Sequence, residues 1–596
     1  MLPTINKKYN DIILKVGLII LLLWPVFFVT RGVDVHDAGY YLANYKYYLS
    51  GELNPNISMA LSNIVGALIY KISPDAKLLT FRLLDWALNA FTWYIVIKLF
   101  KNYIPALWLI PMMFIGEAMI RRYPMTLSYN TFSFSFFIIA LYLLIKGLNE
   151  DNQKYINISG LVIGLNVFFR IPNALQAISV FLPLWYAFTG KNTIEKGFKQ
   201  ALKFSLFGFI GLFLGFGIVV MLFGTNNVIA GLNALFHLSK GDSSHGITSM
   251  FDRIISESNQ GIMFILDHAK VYMAIILSSV FFTVFVSKVK SKLKYILYVF
   301  ACLGVIFASW WVSRRISQSI SVFIITLISF PLSILGAIVY RKSKPLLSLI
   351  LASNIIFMLT VPLGTDNGLM QFNCALPYVA LSIVAAINNL TFACKYINKA
   401  IEDIDNTNKK FKINKTNINV FFAHIIKTAA ILLLAVFIGI NLKAAIFDTL
   451  LKLSYGDHSY NALTTSNNVP QLYGMKTVPV RALGLEKYYN DINKDELKNY
   501  KLMVIGDAPI VYILSDNKPF FGEVWADLDV VSYEEYTTKL IQAAKDENLP
   551  LILIADFKQI NKFLDRSKNK FAEEFVKNNN YTLIGEDITF KLYKPN

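Results

Sequence analysis

Long apolar stretches recur through the first three quarters of the chain, and short polar segments separate them. A helix that crosses a bilayer needs about 20 mostly apolar residues. The stretches therefore predict about thirteen membrane-spanning helices, at residues 12–30, 83–100, 104–120, 131–147, 155–170, 174–189, 204–223, 268–287, 295–311, 317–340, 345–361, 371–391 and 428–446. The stretch 57–73 is shorter and contains Lys71, so we expect it to lie along the outer membrane surface.

Lysines are concentrated in alternate loops, and this distribution predicts the orientation of the chain. Lys7 precedes the first span, Lys98 and Lys101 lie at the end of the second, and similar clusters occupy every second loop as far as residues 395–427. Basic residues mark cytoplasmic loops. Thirteen spans place all of these clusters inside, whereas counting 57–73 as a span would place the later ones outside. We therefore expect a multi-pass cell-membrane protein with a cytoplasmic N-terminus.

Residues 447–596 alternate charged and apolar stretches in the manner of a soluble domain. Residues 501–506 and 551–555 are typical of buried strands, and residues 581–593 of a hairpin. Helices are expected at 533–546 and 562–578. The odd number of spans places this part outside the cell. The predicted fold class is thus a polytopic α-helical membrane domain, residues 1–446, followed by an extracytoplasmic α/β domain, residues 447–596.

The composition agrees with a membrane protein and limits the classes of partner. Hydrophobic residues make up 55% of the chain and charged residues 16%, so an ordinary soluble or disordered chain is excluded. The net charge is +18. We attribute this charge to membrane topology and to contacts with anionic lipids of the bilayer. No aromatic and basic motif for nucleic acid is present, so no nucleic-acid partner is expected.

The loop after the first span contains the clearest candidate chemistry. Aromatic and apolar residues recur at helical spacing from Tyr41 onward, and Gly51 is a plausible helix end. Asp37 falls in the first turn of this predicted helix, where free N–H groups and the helix dipole favour a carboxylate. Asp37 could be a helix cap, or it could accept a proton from a hydroxyl nucleophile. The two roles are compatible.

This loop and its surroundings resemble the GT-C superfamily of polyprenyl-phosphate-sugar-dependent glycosyltransferases. The nearest branches are the protein O-mannosyltransferase-like and aminoarabinose-transferase-like ones. The matching features are Asp37, Tyr40 or Tyr41, Gly51, the apolar segment 57–72, Arg82, the tyrosine-rich segment 123–133 and the segment from Gly164 to Arg170. The resemblance is best over about the first 190 residues. It implies a GT-C-like fold, with Asp37 as the catalytic carboxylate and with Asp34, His36, Tyr40, Tyr41, Arg82 and Asn130 in contact with substrate.

Two departures from the family pattern bear on metal binding. Ala38 stands where the family has a second acidic residue, and the segment 123–133 has Asn130 but no aspartate. Because hard cations need several oxygen ligands, an obligatory metal cofactor is not expected. Asp34, His36 and Asp37 could nevertheless hold a divalent ion between them.

Arginines offer a separate argument for a phosphate ligand. In the thirteen-span arrangement, the arginines before residue 340 lie on the outer side, against the usual inward bias of basic residues. Arginine presents a two-pronged donor group that suits phosphate. We therefore expect substrate contacts from Arg82, Arg121, Arg122, Arg170, Arg314 and Arg315, and we expect Arg170 and one of Arg314 and Arg315 to hold the lipid phosphate. Contacts with anionic lipid headgroups are the alternative explanation.

The predicted function is inverting transfer of a sugar from a polyprenyl-phosphate donor to an acceptor hydroxyl on the outer membrane face. The acceptor could be a glycan, a lipid or a protein. A transporter or flippase of lipid-linked saccharides is the first alternative. It is less favoured because the predicted spans contain few charges and show no inverted repeat. A non-catalytic envelope protein is the second alternative.

Overall fold

The structure is a computed structural model, and the part of the chain that it describes is interrupted. The described ranges are residues 7–54, 56–120, 126–238, 247–271, 316–363, 367–389, 431–446, 460–506, 508–525, 533–557 and 567–596, with residue 457 and short pieces of 273–314.

Helices dominate the described residues. In chain order they are α1 (Lys7–Leu23), α2 (Asp37–Tyr47), α3 (Ala60–Ile72), α4 (Leu78–Phe100), α5 (Ala106–Ile120), α6 (Tyr129–Asn149), α7 (Gln153–Phe169), α8 (Phe181–Tyr186), α9 (Ile194–Phe223), α10 (Thr225–Leu238), α11 (Ile247–Asp267), α12 (Gln318–Tyr340), α13 (Pro345–Thr360), α14 (Leu376–Asn389), α15 (Ile431–Ile446), α16 (Pro479–Ile492), α17 (Val511–Leu514), α18 (Tyr533–Lys545) and α19 (Ser567–Asn578). Segments of 3₁₀ helix include Trp24–Phe28, Ile57–Met59, Ile171–Val180 and Gly368–Ala375. The strands are β1 (Thr465–Ser466), β2 (Lys476–Thr477), β3 (Leu502–Ile505), β4 (Leu551–Ala555), β5 (Tyr581–Asp587) and β6 (Phe590–Pro595).

Among the described residues, six helical segments are long and apolar enough to cross a membrane, and each coincides with a predicted span. They are Lys7–Phe28, Leu78–Phe100, Tyr129–Asn149, Ile171–Lys191, Ile194–Phe223 and Ser319–Tyr340. Five other predicted spans coincide with the shorter helices α5, α7, α13, α14 and α15. The predicted spans 268–287 and 295–311 lie largely outside the described residues. The architecture is thus that of a polytopic helical membrane protein, as predicted, while the count of thirteen and the side of each loop stay predictions.

The short apolar stretch 57–73 forms one 3₁₀ turn followed by α3, a helix of 13 residues. At 1.5 Å per residue this helix is about 20 Å long. The hydrocarbon core of a bilayer is about 30 Å thick. Helix α5, which coincides with a predicted span, has only 15 residues, so length alone does not distinguish the two and the position of α3 along the membrane surface stays a prediction.

Helix α7 packs against α9 with their backbones nearly in contact. A Cβ atom added at Gly164 would lie 2.0 Å from the carbonyl oxygen of Gly208, and one at Gly160 would lie 2.2 Å from that of Phe204. Small residues four apart allow this close approach of helices in a membrane. The contact fixes the C-terminal end of α7, where Arg170 follows.

The segment after α7 is a 3₁₀ helix of ten residues, Ile171–Val180. Such helices have three residues per turn and rarely exceed four residues. Every third residue from the end of α7 is buried and polar: Arg170, Asn173, Gln176 and Ser179. Asn173 Nδ2 donates to Ser133 Oγ at 2.9 Å, and Gln176 Oε1 accepts from Asn166 Nδ2 at 2.9 Å. This polar row faces the interior of the helix bundle and begins at Arg170.

The C-terminal region is an α/β fold built on one sheet with strand order β3-β4-β6-β5. Strands β3 and β4 are parallel, and β4–β6 and β5–β6 are antiparallel. Leu502 and Val504 join the core on one face of the sheet, while Met503 and Ile505 join the core on the other. Both faces are covered, which explains the unbroken apolar run of this strand. The predicted strands, the helix at 533–546 and the hairpin are confirmed, and α19 accounts for the described part of the helix expected at 562–578.

The α/β region packs directly onto the loop between α1 and α2. A single buried cluster contains Val33 and Val35 of the loop, Leu42 of α2, and Leu485 and Val504 of the C-terminal region. The two predicted domains, 1–446 and 447–596, therefore share a hydrophobic core at this loop.

Candidate active site

Arg82 holds the backbone of the loop between α1 and α2. Its Nη1 donates to the carbonyl oxygens of Val29 at 3.0 Å and Arg31 at 2.8 Å, and its Nη2 donates to that of Gly32 at 2.8 Å. The side chain lies on the second turn of α4 and is 1% exposed. These hydrogen bonds give Arg82 a role in positioning the loop, while its expected contact with substrate stays a prediction.

Asp34 caps helix α2 from inside the protein. Its Oδ2 accepts from the backbone N–H of Ala38 at 2.8 Å, and its Oδ1 lies 3.2 Å from both the backbone nitrogen and Nδ1 of His36. Burial raises the pKa of Asp34, but the hydrogen bonds and charge of His36 and the Ala38 N–H outweigh burial and hold the pKa below its ordinary value. Asp34 and His36 are both buried. They form the turn that starts α2, and the substrate contacts expected for them stay predictions.

Asp37 is the first residue of α2, and its side chain is exposed while its neighbours Asp34 to His36, Ala38 and Gly39 are buried. The capping hydrogen bond that the sequence allowed for Asp37 is made by Asp34 instead. The N-terminus of a helix favours the ionised carboxylate. Asp37 thus presents a negative charge outward from a rigid, buried turn.

Tyrosines line the surroundings of Asp37. The rings of Tyr41 and Tyr129 are 5.6 Å apart and nearly perpendicular, and the charge of Asp37 acts on both hydroxyl groups. Burial raises the pKa of Tyr41 well above its ordinary value, and the Tyr129 and Asp37 side chains raise it further. The centre of the Tyr40 ring lies 6.0 Å from that of Tyr41 and 5.8 Å from that of Trp525, in the C-terminal region. Both tyrosines predicted from the loop therefore lie at the site, in their neutral form.

Arg170 brings a buried positive charge to this site. It is the residue that ends α7, its side chain is 7% exposed, and Nη1 lies 3.5 Å from the carbonyl oxygen of Val361. Its positive charge acts on the hydroxyl of Tyr129, as the negative charge of Asp37 does. We call Asp37, Tyr41, Tyr129, Asn130 and Arg170 the Asp37 site.

Two further polar residues fix the start of α6, which bears Tyr129 and Asn130. Gln371 Nε2 donates to Asn130 Oδ1 at 2.6 Å, and Asp85 Oδ1 accepts from Thr131 Oγ1 at 2.6 Å. The sequence analysis did not single out either residue. The available signal for Asp85 was its place on α4, in a polar row with Arg82 and Asn89 at helical spacing.

The other predicted arginines do not join the Asp37 site among the described residues. Arg314 is exposed, and its guanidinium lies 3.9 Å from the centre of the Trp310 ring. No contact between Arg314 and the Asp37 site is present in the described ranges, so the expected contact of Arg314 with lipid phosphate stays a prediction, while Arg170 lies at the site. Arg121, Arg122 and Arg315 lie outside the described residues.

A metal site is not evident in the described part of the chain. Within those residues, no three His, Cys, Asp or Glu side chains are grouped so that they could hold an ion. Of the three residues that could have formed one, Asp34 and His36 bond to each other and Asp37 faces outward.

Comparisons with known proteins gave matches among solved structures. No protein-family model and no curated protein matches the chain. The oligosaccharyltransferase of Archaeoglobus fulgidus in its apo form is 12% identical with a TM-score of 0.43, over 92% of this chain and 70% of that chain. The same protein, AglB, in complex with an inhibitory peptide and a dolichol-phosphate is 11% identical with a TM-score of 0.42, over 92% and 69%. The arabinosyltransferase EmbB of Mycobacterium smegmatis is 13% identical with a TM-score of 0.26, over 65% and 42%.

The residue roles in the proposed function rest on the geometry of this chain.

Proposed function

We propose that the protein is an inverting glycosyltransferase that moves a sugar from a polyprenyl-phosphate donor to an acceptor hydroxyl. One observation is central to this proposal. The carboxylate of Asp37 is exposed at a buried helix start, and both Asp37 and the cation Arg170 act on the same tyrosine, Tyr129. A carboxylate that can act as the base and a cation that can bind phosphate, both close to one tyrosine, are the two charges that this transfer requires.

The reaction assigns a separate task to each charge. The acceptor hydroxyl gives its proton to Asp37, and its oxygen attacks the anomeric carbon from the side opposite the phosphate. The bond between that carbon and the phosphate oxygen breaks, so the configuration inverts and polyprenyl phosphate leaves. Arg170 stabilises the negative charge that develops on this phosphate.

The surroundings favour a neutral, hydrogen-bonding site. Tyr40 and Tyr41 keep their protons because burial raises both pKa values. A hydrogen bond of 2.6 Å from Gln371 Nε2 to Asn130 Oδ1 orients the Asn130 side chain. Together these groups can hydrogen-bond sugar hydroxyls without competing with Asp37 for the acceptor proton.

The proposal places this site on the outer membrane face, where a lipid-linked donor and a glycan, lipid or protein acceptor can meet. The lysine distribution supports this side for the loop between α1 and α2. No metal or other cofactor is assigned a role in the reaction.

The test is release of polyprenyl phosphate from a panel of polyprenyl-phosphate sugars carrying labelled lipid. Purified protein in liposomes should release it in the presence of an acceptor extract, and empty liposomes should not. Movement of intact donor across the bilayer without release would support the flippase alternative and contradict the proposal. Absence of both release and movement over the whole panel would indicate a non-catalytic envelope protein.

A further inference from the structure

We infer that Arg481 and Asp457, from the C-terminal part of the chain, are positioning residues for the Asp37 site. The function of that site rests on the proposal above. How the loop is held rests on the hydrogen bonds of the structure.

The two side chains form a buried ion pair around a single loop residue. Arg481 Nη1 lies 2.6 Å from Asp457 Oδ1, and the two side chains are 2% and 0% exposed. Asp457 Oδ2 accepts from the backbone N–H of Val33 at 3.0 Å, and Arg481 Nη1 donates to the carbonyl oxygen of Val33 at 3.1 Å. Both backbone polar groups of Val33 are therefore bound by the pair.

The pair is itself anchored in the α/β region. Arg481 is on α16, and its Nε donates to the carbonyl oxygen of Phe557 at 2.9 Å, just beyond β4. Asp457 also accepts from the hydroxyl of Thr477 on β2. The position of Val33 is thus tied to the sheet and to α16.

Val33 directly precedes the turn that presents Asp37. Its neighbour Asp34 caps α2, and Arg82 holds the carbonyl oxygens on the other side of Val33. The loop backbone is therefore hydrogen-bonded to Arg82 of the membrane helices and to Arg481 and Asp457 of the C-terminal region. Loss of either set of hydrogen bonds would shift the start of α2 and with it the Asp37 carboxylate.

A second contact ties α2 to the same region. The backbone N–H of Ile510 donates to the carbonyl oxygen of Val35 at 3.2 Å. A Cβ atom added at Gly39 would lie 2.4 Å from the backbone nitrogen of Ile510. The first turn of α2 therefore rests on the backbone of the α/β region, and only a glycine fits there.

Three variants distinguish a positioning role of the ion pair from a purely stabilising one. Buried ion pairs contribute little net stability compared with apolar side chains of similar size. The double variant Arg481→Met/Asp457→Leu should keep the fold and lose the hydrogen bonds to Val33. Arg481→Lys keeps the charge but loses the two-pronged geometry. Lys498→Ala removes the exposed pair with Asp495 in the same region and is the control.

Hydrogen exchange and turnover are measured on the full-length protein. In the double variant, amides of residues 30–36 should exchange roughly 10-fold faster or more, while the rest of the chain is unchanged. Turnover with saturating donor should fall roughly 10- to 100-fold because the base is misplaced, with little change in donor KM. Arg481→Lys should show smaller changes in the same direction, and it replaces the double variant should that one not fold. Lys498→Ala should behave as wild type.

Unchanged exchange of residues 30–36 in the double variant and in Arg481→Lys would overturn the inference, whatever the activity. Faster exchange with undiminished turnover would overturn it as well. If the wild-type protein releases no polyprenyl phosphate, the proposed function fails instead, and the exchange result alone decides whether the pair holds the loop.

Discussion

At the scale of single residues, the loop between α1 and α2 assigns different tasks to neighbouring polar groups. Asp34 and Asp37 are three residues apart, and either could cap the helix by its pattern alone. The folded backbone turns Asp34 inward and leaves Asp37 exposed. The sequence thus predicted the helix that begins at Asp37, but not which side chain caps it, because that depends on the burial of the loop under the C-terminal region.

Arg170 allows a prediction at the same scale. Arg170→Ala should weaken use of the lipid-linked donor roughly 10- to 150-fold, because a charge-assisted hydrogen bond is worth about 1.5–3 kcal/mol. Arg170→Lys should restore part of the loss. Donor kinetics measured by polyprenyl phosphate release provide the check. Arg341→Ala, at an exposed position in a predicted inner loop, is the control. Equal donor kinetics in Arg170→Ala and wild type would refute the phosphate contact.

At the scale of elements, the sequence predicted the strands of the C-terminal region but not the 3₁₀ helix that follows α7. The strands and hairpin of the C-terminal region follow from short apolar runs bounded by turn residues. The segment 174–189 was predicted as an ordinary span, whereas its first part is a 3₁₀ helix with a buried polar row. The period of three in Arg170, Asn173, Gln176 and Ser179 is present in the sequence, but the helical period of 3.6 does not detect it.

The contact between α7 and α9 can be tested through its glycines. Gly164→Ala should destabilise the protein by about 1–3 kcal/mol, because the added methyl group meets the backbone of Gly208. Gly217→Ala, also in the helix pair, meets no neighbour within 4 Å and serves as the control. Thermal unfolding in detergent measures both. Equal melting temperatures for the two variants would mean that α7 and α9 are not packed this closely.

A pH effect is expected where residues 519–525 meet the loop before α3. Burial raises the pKa of Glu523 to about 7, against an ordinary value of 4.5; the charge of Glu535 adds to this, while Asn54 and Lys539 oppose it. Tyr40 and Tyr48 also face this carboxyl. The folded state therefore keeps a proton that the unfolded state loses, so stability falls as the pH rises from about 4.5 to 7.

Glu523→Gln should remove this contribution, so that its melting temperature declines less than that of wild type between these pH values. Glu534→Gln, at an exposed position of α18, is the matched control. Parallel pH profiles for Glu523→Gln and wild type would show that Glu523 does not titrate in this way.

At the scale of the whole molecule, the C-terminal region completes the loop that bears Asp37. The partners of Val33 lie more than 420 positions away in the sequence. Local sequence patterns do not predict hydrogen bonds between residues so far apart in the chain. The sequence therefore predicted two domains but not the hydrophobic core that they share. The same contact places the α/β region on the side of the membrane that the loop faces.

The side itself is a prediction of the lysine distribution. A cysteine replacing Lys518, in a background without Cys302, Cys374 and Cys394, should react with a membrane-impermeant reagent in intact cells. A cysteine replacing Lys342, in a predicted inner loop, should react only after lysis. The reverse pattern would place the Asp37 site inside the cell and contradict the use of an outer-leaflet donor.

The most direct test of the central claim is the turnover of Asp37→Asn. This change keeps the shape of the side chain and removes the base, so polyprenyl phosphate release should fall by roughly 10²–10⁴ while the melting temperature stays close to that of wild type. Asp75→Asn, at an exposed carboxylate between α3 and α4, should retain full turnover. Full activity in a stably folded Asp37→Asn protein would contradict the assignment of Asp37 as the catalytic carboxylate.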